Sequence, residues 1–261
     1  MFPLRDNIGT SRFPIVTLAL IVICTIVFFL EISRPPTALP DYSTGIAQRV
    51  SGFDRVTAEW GFTPCELVHE CAHPGREELS RSGGGTAEVR VPRHSAWLTL
   101  IASIFMHGGW LHIVGNMLFL WIFGNNVEDR MGRVRYLLFY LVCGIVAAFT
   151  QLAAGPSSGV PNIGASGAIA GVLGAYLFLY PRARVLTAIT LLVFFAIVEV
   201  PAVLLLGAWF LLQVLDGSAG LVSAGEGGVA YFAHVGGFAA GLLLVWPLVR
   251  GRPRQVAEPA S

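Results

Sequence analysis

The sequence predicts an all-α membrane protein, a bundle of six transmembrane helices with a long extracytoplasmic loop between the first and the second. Three observations carry this expectation. Of 261 residues, 54% are hydrophobic and 13% charged, with a mean hydropathy of +0.68, whereas a soluble domain carries about a quarter charged residues. Six apolar segments approach the roughly 20 residues that a bilayer core requires of a helix. All seventeen basic residues are arginine, and those outside the long loop gather in alternate short connections, the pattern that sets membrane orientation. A net charge of +1 gives no basis for a nucleic-acid partner.

The first span runs from Ile15 to about Leu30 and the second from about Leu111 to Phe123, with Val127 as its furthest extension. The third runs from Tyr136 to Ala154 and the fourth from Ser166 to Tyr180. The fifth lies within Val185 to Leu215, where Glu199 and Pro201 interrupt it. One reading starts the helix after Pro201 and leaves Leu186–Val198 interfacial or partly inserted. The other, equally open, is a single long helix kinked at Pro201. The sixth span runs from Val229 to Val249.

Arg5 and Arg12 precede span one; Arg130, Arg133 and Arg135 lie between spans two and three; Arg182 and Arg184 lie between four and five; Arg250, Arg252 and Arg254 follow six. The connections after spans three and five contain no basic residue. This places both termini in the cytoplasm of a multi-pass protein of the cell membrane. Residues 1–14 form a cytoplasmic tail, 15–249 the membrane domain with the loop 31–98 inserted, and 250–261 a second cytoplasmic tail. Span one lacks a cleavage site and is read as a retained anchor.

Spans two, four and six then start from the same side, so His112 and Asn116, Ser166, and His234 share one layer of the membrane. Span four is short: Ser166–Tyr180 covers about 22 Å at about 1.5 Å per residue, against a core of about 30 Å. The preceding Gly155–Ile163 must dip inward, and irregular backbone is tolerated at that depth only when buried in protein or lining a wet cavity. Imidazole in an apolar segment marks a function by default, and a hydrolase needs water there. His112 and Asn116, four apart, project from one helix face. Gly167 with Gly171, and Gly237 with Gly241, form two G-x-x-x-G pairs, which let helix backbones approach closely in lipid. That approach would bring Ser166 within reach of His234.

Three motifs resemble those of the rhomboid family of intramembrane serine proteases, in order and on the expected spans. Phe105-Met106-His107-Gly108-Gly109-Trp110-Leu111-His112-Ile113-Val114-Gly115-Asn116 resembles the second-helix motif. Gly164-Ala165-Ser166-Gly167 resembles the serine motif, and Ala233-His234-Val235-Gly236-Gly237-Phe238-Ala239-Ala240-Gly241 the histidine motif. The likeness runs from Trp60 to Val249. It implies a six-helix rhomboid-like bundle and a Ser–His dyad, with Ser166 as nucleophile and His234 as general base and then acid. It implies that His112 and Asn116 stabilise the oxyanion, that Gly164, Gly167 and Gly237 support the motifs, and that His107 holds the loop before span two. Substrates would be transmembrane protein segments that unwind near the outer face, reached through a lateral gate at span five. No cofactor is implied, and the only other partner is membrane lipid. Two features depart from the family pattern. Ala170 stands where the reference member has Tyr packed under the histidine, so Phe238 or an aromatic of span five would support His234. The Trp-Arg pair of the loop is not reproduced at Trp97-Leu98.

Two other functions compete. A rhomboid-like protein without catalysis would serve as a membrane chaperone or binding protein, but such relatives lack the serine or histidine. His69-Glu70-Cys71-Ala72-His73 fits the zincin pattern H-E-x-x-H. Thr63, Pro64 and Glu66 resemble a helix start that would put His69 and His73 on one face, with Glu88 or His94 as third ligand. Against it, Pro74 ends the helix at once and the motif explains no membrane feature, so a chance match in a solvated loop is preferred. A Cys65–Cys71 disulfide is the rival of that helix, since residues six apart on a helix are about 9 Å apart along its axis. Cys24 and Cys143 read as inert packing thiols. Paired histidines could also ligate haem, but haem gives no reason for the serine motif.

Overall fold

A computed structural model describes residues 2–251 apart from 43, 70, 72–74, 82–83, 93, 192–193 and 224–229. In chain order the elements are β1 (Phe2–Asp6), α1 (Ile15–Ile32), β2 (Thr37–Pro40), β3 (Ala47–Val50), α2 (Gly52–Trp60), α3 (Pro64–Val68), β4 (Arg76–Ser80), β5 (Thr86–Arg90), α4 (Ala96–Ala102) with a 3₁₀ turn (Ser103–Phe105), α5 (Trp110–Phe119), a π turn (Leu120–Gly124), α6 (Asn125–Met131), α7 (Arg133–Ala154), α8 (Ser166–Leu179), β6 (Arg184–Leu191), β7 (Phe194–Pro201), α9 (Ala202–Ser223) and α10 (Tyr231–Val249). The chain is mostly helical, but not all-α: the described residues include three small antiparallel sheets. Among the described residues, three helices are long and apolar enough to cross a membrane: α1, α7 and α10. A fourth span results if Ala96–Phe105 and Trp110–Met131, bent by 77°, count as one. α8 and the Ala202–Asp216 part of α9 are apolar but shorter.

Two compact units divide the chain. The first comprises residues 1–22, 114–151 and 166–261. Its helices are tied by buried polar groups at their ends. Glu128, 3% exposed, accepts Val16 N–H at 3.0 Å and Thr17 N–H at 2.7 Å, and takes the Thr17 hydroxyl at 2.8 Å. It thus satisfies donors that the first turn of α1 leaves open. Gly132, at φ +79°, makes the left-handed turn between α6 and α7 that a side chain would strain. Helix does follow Pro201, as one reading of the fifth segment expects. The preceding residues do not form a kinked helix: β6 and β7 form a hairpin, and β1 adds a third strand with Phe2 opposite Ala188 and Asp6 opposite Val185. Val185, Thr187, Ile189, Ile197, Val198 and Val200 give this run a β-branched density that suits a pleated surface, and Pro201 bars a helix from running through it.

Asp6 ends β1 inside this unit, where its Oδ2 accepts from Tyr176 O–H at 2.6 Å and Asn126 Nδ2 at 2.7 Å.

The second unit comprises residues 23–113 and 152–165. The inserted loop is folded rather than merely solvated. The hairpins β2–β3 and β4–β5 and the helix α2 enclose Val50, Ala58, Leu79, Ala87, Val89 and Val91. α3 stops at Val68, and His69 adopts the left-handed conformation at φ 60°. The helix therefore does not continue through His69. Cys65 and Cys71 are joined in a disulfide instead, with Cα atoms 4.8 Å apart. Glu70 and His73 lie outside the described residues. Of the other ligands weighed for that motif, His94 stacks on Trp60 and Glu88 pairs with Arg76 at 3.6 Å. Cys24 and Cys143 are buried free thiols.

Burial pushes the Asp6 carboxyl up from its ordinary 3.8 to about 6, against the hydrogen bond from Tyr176 that draws it down. The folded state then holds the proton more tightly than the unfolded chain, so this contribution is complete below the ordinary value and is lost as pH rises through about 6. Asp6→Asn keeps an acceptor for both donors without a charge. It should raise the melting temperature at neutral pH and flatten its dependence below pH 6, as read by thermal unfolding in detergent across a pH series.

Candidate active site

Ser166 is the first residue of α8, so its N–H and those of the next turn have no acceptor within the helix. The chain before it is irregular but paired. Phe62 and Asn162 exchange backbone hydrogen bonds of 3.0 and 2.7 Å, Cys65 N–H donates to Ser158 O at 3.1 Å, and Gly164 N–H donates to Ser103 O at 2.9 Å. Gly164 turns at φ +130°, a conformation open to glycine, and delivers the chain into α8.

α10 lies against α8 with almost nothing between the backbones. A Cβ on Gly237 would collide with the carbonyl of Gly167, and one on Gly241 with that of Gly171. On another face of α8, a Cβ on Gly167 would sit 2.6 Å from Ala147 Cβ of α7. The two G-x-x-x-G pairs are thus mutual contacts. Their consequence is that His234 Nε2 stands 2.7 Å from Ser166 Oγ. Both side chains are half-buried. A serine hydroxyl at that distance can donate its proton to the ring nitrogen.

Two residues that sequence reasoning missed complete the surroundings of His234. Gln213 of α9 presents its Oε1 to Nδ1 at 2.5 Å. Gln151 of α7 accepts Ala233 N–H at 3.2 Å, capping the first turn of α10 from another helix. The signal was present in each case as one amide inside an otherwise apolar segment. The aromatic partner sought in place of Ala170 is Trp209, one turn before Gln213, whose ring centroid is 5.7 Å from that of His234. Phe238 stacks on Phe210 at 4.5 Å and also adjoins Trp209.

His112 and Asn116 share a face of α5. Asn116 is buried, 9% exposed, in the same unit as the Ser166–His234 pair, and its Nδ2 has no acceptor among the described residues. His112 belongs to the other unit. There its Nδ1 accepts Gly108 N–H at 3.2 Å, which leaves Nε2 to carry the ring hydrogen as a donor. His107 is fully buried, with its N–H on Glu31 Oε2 at 3.3 Å and its Nδ1 against Phe105 O at 3.2 Å. Glu31, at the end of α1, gave no sign in the sequence of this contact.

A mostly helical chain with three to four apolar spans, and a serine facing a histidine across two glycine-faced helices, defines the class: a polytopic membrane protein with a serine–histidine pair set between two of its helices. Comparison with known proteins agrees and names the family. The family model described as the Rhomboid domain matches residues 94–251, more than half of the chain. The chain is 33% identical over 165 residues to Rhomboid protein 1, mitochondrial, of Saccharomyces cerevisiae, covering 60% of this chain and 44% of that one. It is 32% identical over 166 residues to Rhomboid-like protein 11, chloroplastic, of Arabidopsis thaliana, covering 59% and 53%. It is 38% identical over 94 residues to the Rhomboid protease GluP of Bacillus subtilis, covering 36% and 18%. The alignments span about half the length of the first two relatives. The chain belongs to the rhomboid family of integral membrane proteins, among whose members are named proteases.

Gly241→Val touches neither Ser166 nor His234 but forces α10 off α8. The rate at which a fluorophosphonate modifies Ser166 should fall about 100-fold, the usual consequence of about 1 Å of misplacement; mass spectrometry of the labelled peptide reads the rate.

Proposed function

We propose that the protein is an intramembrane serine endopeptidase that cleaves transmembrane segments of membrane proteins. The observation that carries the proposal is the 2.7 Å contact between Ser166 Oγ and His234 Nε2. Ser166 attacks the scissile carbonyl as His234 takes its proton. The same imidazole then returns the proton to the leaving amine, and water, activated by His234, frees the acyl group from Ser166. The developing oxyanion needs donors. The Nδ2 of Asn116, which has no acceptor among the described residues, and the N–H of Ser166, which has none within α8, are suited to it, and the family resemblance gives His112 Nε2–H the same role. Gly167 and Gly237 act by bringing backbones together, Gly164 by turning the chain into α8, and His107 by holding the chain ahead of α5.

The proposal includes the topology. The chain crosses the cell membrane six times, with α8 and α9 as its short spans, both termini cytoplasmic and residues 31–98 outside. The arginine distribution supports it. Substrates are transmembrane helices with helix-breaking or small residues near the outer face, because the bond to be cut must be extended to meet Ser166.

Wild-type protein should react with a serine-directed fluorophosphonate and cut a model transmembrane segment in liposomes, whereas Ser166→Ala and His234→Ala should do neither. Equal labelling of all three discards the dyad; labelling without cleavage leaves the non-catalytic membrane-binding function in its place. Asn116→Ala should retain the dyad and lower kcat by about 10²–10³, the usual effect of one oxyanion donor.

A further inference from the structure

The imidazole of His234 is held at both nitrogens. Nε2 faces Ser166 Oγ and Nδ1 faces Gln213 Oε1. An amide oxygen accepts hydrogen bonds and cannot donate them, so the ring hydrogen must sit on Nδ1. A neutral imidazole protonated at Nδ1 has its lone pair on Nε2. That is the tautomer able to accept the Ser166 proton. The other tautomer would set an N–H against Oγ and a lone pair against the lone pairs of Oε1.

We propose that Gln213 is a positioning residue that fixes the tautomer and orientation of His234, making the site a Ser166–His234–Gln213 arrangement whose third member is a neutral amide. This rests on the Ser–His reading above. Several features of the structure favour it. Gln213 lies on α9, a different helix from either partner, so it restrains the ring from a third direction. Trp209 lies four residues earlier on the same helix and faces the same ring, so one face of α9 supplies both an acceptor for Nδ1 and a wall beside the imidazole. A carboxylate in this place would need its charge compensated in an apolar bundle, whereas a hydrogen-bonded amide does not. The amide also retains its role through the reaction, because Nδ1 carries a hydrogen in both the neutral and the protonated ring.

The experiment uses the full chain in detergent micelles and two readouts. The first is ¹⁵N NMR of protein labelled at its 6 histidines, with His234 assigned by the signal lost in His234→Ala. The second is the kinetics of fluorophosphonate labelling at Ser166, separated into the maximal rate and the half-saturating concentration. Wild type should show His234 as the Nδ1–H tautomer. Gln213→Met, similar in shape but without the acceptor, should lose that preference. It should label about 10–100-fold more slowly at saturation, with an unchanged half-saturating concentration, by analogy with the loss when the partner that orients a metal-bound histidine is removed. Gln213→Glu restores an acceptor and should restore the tautomer. An Nε2–H tautomer in wild type overturns the proposal, since the Gln213 amide would then be turned the other way. So does labelling of Gln213→Met within twofold of wild type. Absence of labelling in wild type overturns the Ser–His reading itself, and this proposal with it. Should Gln213→Met fail to fold, the wild-type tautomer alone decides.

Discussion

The close approach of α8 and α10 is the constraint on which the site depends. Neither Ser166 nor His234 is brought into place by a loop or by a charge pair. Each is fixed to the first turn of its helix, and the glycine contacts Gly167–Gly237 and Gly171–Gly241 set how near those turns stand. In lipid there is no hydrophobic gain from bringing two apolar helices together, so packing of small residues carries the association. α7 extends the same logic to a third helix, with Ala147, Cys143 and Thr150 filling the space that glycines at 167, 171 and 236 leave. The hydrogen bond between Ser166 and His234 thus follows from how closely the two backbones pack.

Polar groups within the helices are mostly neutral and act in pairs. Gln151 caps α10, Gln213 meets His234, and Asn126 and Tyr176 converge on Asp6. Among the buried carboxylates, Glu128 serves backbone donors at the start of α1 and Glu31 serves the N–H of His107. Each replaces hydrogen bonds that water cannot supply in such surroundings, and a buried polar group left unpaired costs about 1–3 kcal/mol. Asn116 Nδ2 is one of several buried side-chain atoms with no partner among the described residues, His107 Nε2 and Asn126 Oδ1 being others.

Much of this was legible in the sequence. Ser166 and His234 stood out because each sat in an apolar segment and directly ahead of a G-x-x-x-G pair, and those pairs turned out to touch one another. The start of α9 after Pro201 was legible from the proline, and the four-residue spacing put His112 and Asn116 on one face. The hairpin β6–β7 was not, because short apolar runs fit a strand or a buried helix equally until β1 is seen to pair with them. The core of residues 31–98 was hidden for another reason. Its strands include Arg76–Ser80, which carries little hydrophobic pattern, and the structure reads as folded only once Val50, Leu79 and Val89 meet. Gln213 was invisible as a partner because its reach to His234 depends on how α9 is rotated against α10, and no local pattern reports that phase. The left-handed turn at His69, not any change of residue type, is what undoes the helical H-E-x-x-H reading.

The most direct measurement is an experimental structure of the chain in a lipid nanodisc, read for the separation of Ser166 Oγ and His234 Nε2. The account requires the two atoms within hydrogen-bond distance, with Gly167 against Gly237 and no side chain between α8 and α10. Finding them beyond that reach, with hydrocarbon packed between the two helices, would contradict it.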